Sequence, residues 1–179
     1  MGWREAARAL PPGPPCPRPD DCLDHREGPP VILYVDTSAL VKLYVDEAGA
    51  LLVRQGVQGA EVVATSEIAY VELRAAVARR RREGALTAGD YKRLLRRLHT
   101  DWPEFLLIAV GSSLIRDAGA IAEQYRLRAY DAVHLAAGLV VQRQTEEPVT
   151  FACWDRALAA AAAKAGMRSL TTRSFAGAP

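Results

Sequence analysis

Apolar residues gather along this chain in short blocks whose spacing switches between strand-like and helix-like periods. Residues 31–35, VILYV, are an unbroken β-favouring run behind two prolines and predict a short buried strand. Asp36 ends it, and Thr37 or Ser38 is placed to cap a helix carrying Leu40, Leu43 and Tyr44. Residues 50–57 repeat the helical spacing up to Gly59. Residues 61–65, EVVAT, predict a second strand, with Ser66 as the cap of a long helix stopped by Gly84. Thr87 caps the next helix, which has Asp90 in its first turn and Tyr91, Leu94, Leu95 and Leu98 as its inner face. Residues 105–110 predict a third strand. Ser112 or Ser113 then caps a helix from 114 to about 125 that turns Ile115, Ala118, Ile121 and Ala122 inward. The helix begun by Asp131 is apolar on nearly every side and is therefore central. Residues 149–154 predict a fourth strand, residues 156–165 an alanine-rich helix closed by Gly166, and residues 167–171 a short last strand.

This alternation predicts an α/β fold: a three-layer α/β/α domain with a mainly parallel central sheet of four to five strands. A chain of 179 residues supports one domain with a real core. Half of it is hydrophobic and a quarter charged, which favours a helix-rich globular domain over a disordered or fibrous chain. The domain is expected to span residues 31–173. Residues 1–30 contain PPGPPCPRP, where proline removes backbone donors and blocks both helix and central strand, so an extension is expected there, with a short tail at 174–179. No 18-residue apolar run is free of charge, and the first ten residues lack the hydrophobic stretch of a signal peptide. A cytoplasmic protein without a membrane partner is expected.

The net charge of +2 says little about partners, but its distribution says more. Residues 74–97 hold nine Lys and Arg against two acids. Arg79, Arg80, Arg81 and Arg82 close a helix, where cations complement the macrodipole. Arg79, Arg80 and Arg82 are also candidates for contact with phosphate groups. The three cysteines cannot all pair within the chain, and Cys16, Cys22 and His25 match no common zinc spacing.

The acids carry the chemistry. Asp36 and Asp155 each follow a predicted strand, and Asp131 opens a buried helix. In an open parallel sheet such positions lie at the carboxyl ends of the strands, where ligands bind. Glu67 falls early in its helix and reads as a capping acid. Glu72 is different: its neighbours three and four residues away are Ile68, Ala69, Ala75 and Ala76, and a carboxylate inside an apolar stripe is costly unless something pairs with it. His134, one turn beyond Asp131, reads as a hydrogen-bonded core histidine, with a ligand or base role as the alternative. Four carboxylates gathered at one mouth would repel one another, and a multivalent cation would neutralise them. All-oxygen ligands select a hard ion, Mg2+ or Mn2+. Metal-assisted phosphodiester hydrolysis is the expected chemistry.

The ordered set YVDTSALVKLY, TSEIAYVELRAA, LRAYDAVHLAA and FACWDRAL resembles the PIN-domain ribonucleases and, within them, the VapC-type toxins of toxin–antitoxin pairs. The resemblance covers about residues 31–171. It implies that Asp36, Glu72, Asp131 and Asp155 form the family's acidic quartet, acting in catalysis and as metal ligands, with Ser38 as the small hydroxyl residue two after the first acid. Cys153 stands where many members carry Thr or Ser. The resemblance further implies endonucleolytic cleavage of single-stranded or looped RNA, a homodimer, and a small cognate antitoxin that blocks the site. Two other readings compete. A haloacid-dehalogenase-like or receiver phosphotransfer site would use Asp36 as nucleophile, but Ser38 replaces the second aspartate of the first and no acidic pair precedes Asp36 for the second. A catalytically silent PIN fold serving as an RNA-binding or interaction module is the non-enzymatic alternative, and the presence of all four acids speaks against it.

Overall fold

The computed structural model describes residues 30–170. The expected extension up to residue 30 and tail at 174–179 lie outside the described residues, apart from Pro30 itself. Among the described residues, five parallel strands form one sheet, flanked by seven α-helices, a three-layer α/β/α arrangement. In chain order the elements are β1 (Ile32–Val35), α1 (Thr37–Tyr44), α2 (Ala50–Gly59), β2 (Val62–Ser66), α3 (Ile68–Arg82) and α4 (Ala88–Asp101). A 3-10 turn (Trp102–Glu104) leads to β3 (Leu106–Ile108), α5 (Ser112–Tyr125), α6 (Ala129–Thr145), β4 (Val149–Ala152), α7 (Arg156–Lys164) and β5 (Arg168–Ser169).

The strand order is β3-β2-β1-β4-β5. The chain builds outward from β1 through β2 to β3, then returns to the other side of β1 for β4 and β5. Ile32 pairs in register with Val62 on one side and Val149 on the other. All four residues of β1 and of β4 are buried, as expected for strands covered on both faces. Alternation along β1 feeds two cores: Leu33 and Val35 pack with α1 to α4, while Ile32 and Tyr34 pack with α5, α6 and α7. α6 carries the longest unbroken buried run of the described helices, with residues 132–138 all buried. Gly138 lets it approach β4, since a Cβ there would stand 3.0 Å from the Phe151 ring. Each fully buried Leu or Val in these layers contributes about 1.5–3 kcal/mol.

Several local expectations change. Asp36, not Thr37 or Ser38, caps α1: its backbone is extended and its Oδ1 accepts from the Ala39 N–H at 2.8 Å. Ser66 is the last residue of β2 and not a cap, because the next N–H, that of Glu67, still bonds to Ile108 O in the sheet at 3.1 Å. Glu67 makes no side-chain cap on α3, and its carboxylate instead accepts from the Val110 N–H at 3.4 Å. α6 starts two residues before Asp131, which therefore lies inside the first turn. On α5 the inner stripe begins at Leu114 and runs through Ala118, Ile121 and Ala122, so Ile115 falls on the solvent side and is 49% exposed. β3 is shorter than residues 105–110, and β4 ends before Cys153 and Trp154. Among the described residues no helix is long and apolar enough to cross a membrane.

Candidate active site

The sheet changes direction of growth at the β1/β4 boundary, and a crevice outside the strand ends at such a point is where α/β sheets bind ligands. Asp36 leaves β1 there, its N–H bonded to Ala152 O, the last residue of β4, at 3.1 Å. Asp155 follows three residues later and caps α7, its Oδ1 accepting from the Leu158 N–H at 2.9 Å. Ser38 ties the two strand ends together. Its hydroxyl is 2.8 Å from Asp36 Oδ1, and it accepts from the Trp154 N–H at 2.7 Å.

Burial decides the electrostatics of Asp36. It pushes the carboxyl above the ordinary aspartate range, against the lowering effects of the Ala39 N–H, His134 and Ser38. Asp131 is also raised, by burial first and then by the charge of Asp155, with Arg128 only partly compensating. The Cys153 thiol is pushed up to about 12, chiefly by burial and then by the charges of Asp36, Asp155 and Asp131. A single thiol thus feels three carboxylates. Among the described residues, none of those three aspartates makes an ion pair.

Glu72 is held differently. Its Oε2 is 2.8 Å from His134 Nε2 and accepts a short hydrogen bond from the Thr37 hydroxyl. The same hydroxyl is 3.1 Å from His134 Nε2. On its other side the His134 ring meets the Tyr34 hydroxyl, 2.9 Å from Nδ1. A carboxylate only accepts, so this pattern assigns a proton to Nε2 and lets Nδ1 accept from Tyr34. Tyr34 is fully buried, and burial, with the charge of Asp36 adding to it, pushes its phenol far up, keeping it a donor. Burial disfavours the Glu72 carboxylate, yet the hydrogen bonds from His134 and Thr37 outweigh it and hold its carboxyl below the ordinary glutamate range.

The four acids singled out in the sequence therefore share one edge, with Glu72 close enough for its charge to reach Asp131. Among the described residues, no group of three or more His, Cys, Asp or Glu side chains is gathered closely enough to hold a metal ion. A small hard cation that keeps most of its waters needs only one or two carboxylates, which this edge offers. Thr37 is the residue sequence reading left out, because a hydroxyl after a strand reads first as a cap. The basic helix end is partly spoken for: Arg79 pairs with Glu83 at 2.7 Å and Arg80 with Glu47 at 2.6 Å. Arg81 lies over the Tyr91 ring, 5.0 Å from its centroid. Arg82 makes no hydrogen bond or ion pair among the described residues.

The family model described as PIN domain matches residues 33–141. This chain belongs to the PIN-domain family. A relative named Ribonuclease VapC49, from Mycobacterium tuberculosis (strain ATCC 25618 / H37Rv), is 34% identical over 141 residues, covering 76% of this chain and 93% of the relative. Two solved structures share the fold. PAE2754 from Pyrobaculum aerophilum superposes with a TM-score of 0.57 at 20% identity, covering 80% of this chain and 87% of that one. A toxin-antitoxin complex from Klebsiella pneumoniae gives 0.50 at 18% identity, covering 82% and 92%. In this PIN domain the matched stretch contains Asp36, Glu72 and Asp131, while Asp155 lies beyond it.

Proposed function

We propose that this PIN-domain protein is a cytoplasmic endoribonuclease dependent on Mg2+ or Mn2+, and the toxin of a toxin–antitoxin pair. The observation that carries the reading is the acidic edge, only partly compensated, where Asp36 and Asp131 are held above their ordinary range and the Cys153 thiol feels three carboxylates. Such an edge is unfavourable alone and becomes favourable once a divalent cation is bound. The bound cation supplies Lewis-acid stabilisation of a phosphoryl group and lowers the pKa of water.

The chain's own residues divide the remaining work. Asp36, Asp131 and Asp155 would hold the cation, and Glu72 would complete the acidic set. Ser38 fixes the Asp36 carboxylate. Thr37 and His134 fix Glu72. The Asp131 carboxylate makes no hydrogen bond among the described residues, which leaves its oxygens available to the cation. RNA is the substrate by analogy with the VapC relative, and a small antitoxin is the partner by analogy with the toxin-antitoxin neighbour. A homodimer is proposed as the working form. Arg82, with Arg79 and Arg80 beside it, contributes phosphate contacts at the end of α3. The catalytic unit is residues 31–173.

The test is cleavage of a labelled RNA by the purified full chain with Mg2+, Mn2+ or EDTA, alongside the Asp36→Asn variant. Internal cleavage that needs metal and disappears in the variant is expected. Absence of cleavage with either ion, or equal cleavage by Asp36→Asn, overturns the reading.

A further inference from the structure

Two aromatic side chains stand open beside the acids. Among the described large apolar residues that remain exposed, the aromatic ones are Tyr130, 57% exposed, and Trp154, 38% exposed. Each directly precedes an acid of the edge, Asp131 and Asp155, whose charges reach one another. Neither ring is used by the chemistry assigned above.

Trp154 is also held in place before any ligand arrives. Its N–H is fixed by Ser38, whose hydroxyl faces Asp36. The Lys42 ammonium lies over its ring, 5.0 Å from the centroid, and that ammonium is anchored to Glu47 at 2.6 Å. Gly49 presses against the indole so closely that a Cβ there would stand 2.6 Å from it. A ring immobilised in advance loses little freedom on binding.

The electrostatics say what such rings are for. An acidic edge repels phosphate. Affinity close to the reacting phosphate is better supplied by uncharged base faces stacking on aromatic rings, which every base offers. We propose that Trp154 and Tyr130 are stacking platforms for nucleobases next to the phosphodiester held at the acids, an inference that rests on the nuclease reading. The rings then orient the strand without reading its sequence.

The experiment uses the full chain and a short single-stranded RNA in which each nucleotide in turn is made abasic. Dissociation constants are read by fluorescence anisotropy in the Asp36→Asn background, and KM and kcat in the otherwise unaltered chain. An abasic site at one or two positions is expected to raise both Kd and KM about tenfold with kcat little changed. Trp154→Leu should produce a similar loss on intact RNA, and the abasic site opposite it should then cost nothing further. Trp154→Phe should recover most of the affinity, and Tyr130→Leu and Tyr130→Phe should behave alike at another position. If no abasic position matters, or if abasic and Leu losses add in full, stacking is overturned. Should Trp154→Leu fail to fold, the abasic scan with wild type and Trp154→Phe still decides. Abasic-sensitive binding without cleavage would sink the nuclease reading and leave stacking standing, while cleavage insensitive to every abasic site would do the reverse.

Discussion

His134 Nε2 lies 2.8 Å from Glu72 Oε2, and this contact converts the costliest residue of α3 into an anchored one. The histidine ring is 2% exposed and reaches through the core layer to the Tyr34 hydroxyl. A polar chain thus runs from the middle of β1 to the acidic edge. His134→Ala would leave the Tyr34 hydroxyl without its acceptor and the Glu72 carboxylate with the Thr37 hydroxyl alone. Losses of this kind cost about 1–3 kcal/mol each, so the variant should lose about 2 kcal/mol or more in chemical denaturation. Tyr34→Phe removes only one outer link and should cost about 1 kcal/mol. Equal stability of His134→Ala and wild type would show that the network holds nothing.

Glu47 gives the acid limb of stability a specific contributor. Its two oxygens meet Lys42 Nζ and Arg80 Nη2, each at 2.6 Å. Burial opposes the charge, but the hydrogen bonds and charges of those two cations prevail and lower the carboxyl below its ordinary value of 4.5. With the folded pKa depressed, the unfolded chain binds more protons between the two values. The contribution is therefore complete above the ordinary glutamate range and lost as pH falls through the depressed value. Because the pair is partly solvated, its worth is at most about 1 kcal/mol. Glu47→Gln should flatten the fall in melting temperature between neutral and acidic pH, and an unchanged acid limb would assign that fall to other carboxylates.

Much of this site was legible because its residues break local patterns. Asp36 and Asp155 each follow an apolar strand, and Glu72 interrupts an apolar stripe. What could not be read was who pairs with whom. Glu72 and His134 are 62 residues apart; Glu72 was an anomaly and His134 a core histidine with no named partner, and only the packed fold makes one the answer to the other. Thr37 was hidden because capping is the commoner fate of a hydroxyl after a strand, and the fold gives that task to Asp36. The engagement of Arg80 by Glu47 was hidden for the same reason as the Glu72 pair: a loop residue leaves no periodic trace. Ile115 was assigned inward because it shares the spacing of Ala118 and Ala122, and the stripe proved to be phased on Leu114.

Metal addition should stabilise this fold, and protonation of Asp36 should make a stabilising contribution of its own when metal is absent. Asp36 has a raised carboxyl, so the folded chain binds more protons than the unfolded one between the ordinary and the raised value. Its charge therefore costs stability as pH rises through the raised value. Asp36→Asn removes that cost and keeps an effective cap on α1, since Asn accepts the Ala39 N–H as Asp does. The apo variant should melt at or above the wild-type temperature at neutral pH. Wild type should gain several degrees from excess Mg2+ or Mn2+ by mass action, and the variant much less. A variant that is markedly destabilised without metal would make Asp36 a structural cap first.

Gly49 is where the loop after α1 tolerates only one residue type. Its φ of +89° lies in the region that L side chains rarely adopt, and a Cβ would also stand 2.6 to 2.9 Å from the Trp154 indole. These two costs are separable. Gly49→Ala in the wild-type background should lose roughly 2–4 kcal/mol, about 1–2 from the backbone conformation and the rest from displacing the ring. In a Trp154→Ala background the steric part has no partner, so the same substitution should cost only about 1–2 kcal/mol. The difference between backgrounds measures how firmly Gly49 holds the indole. Urea denaturation of the four chains supplies it, and RNA affinity should follow the wild-type-background loss, because the ring moved by Gly49→Ala is the one proposed to receive a base. If Gly49→Ala costs the same with and without the indole, the ring does not bear on Gly49, and its placement beside Asp155 has to come from Lys42 and Ser38 alone.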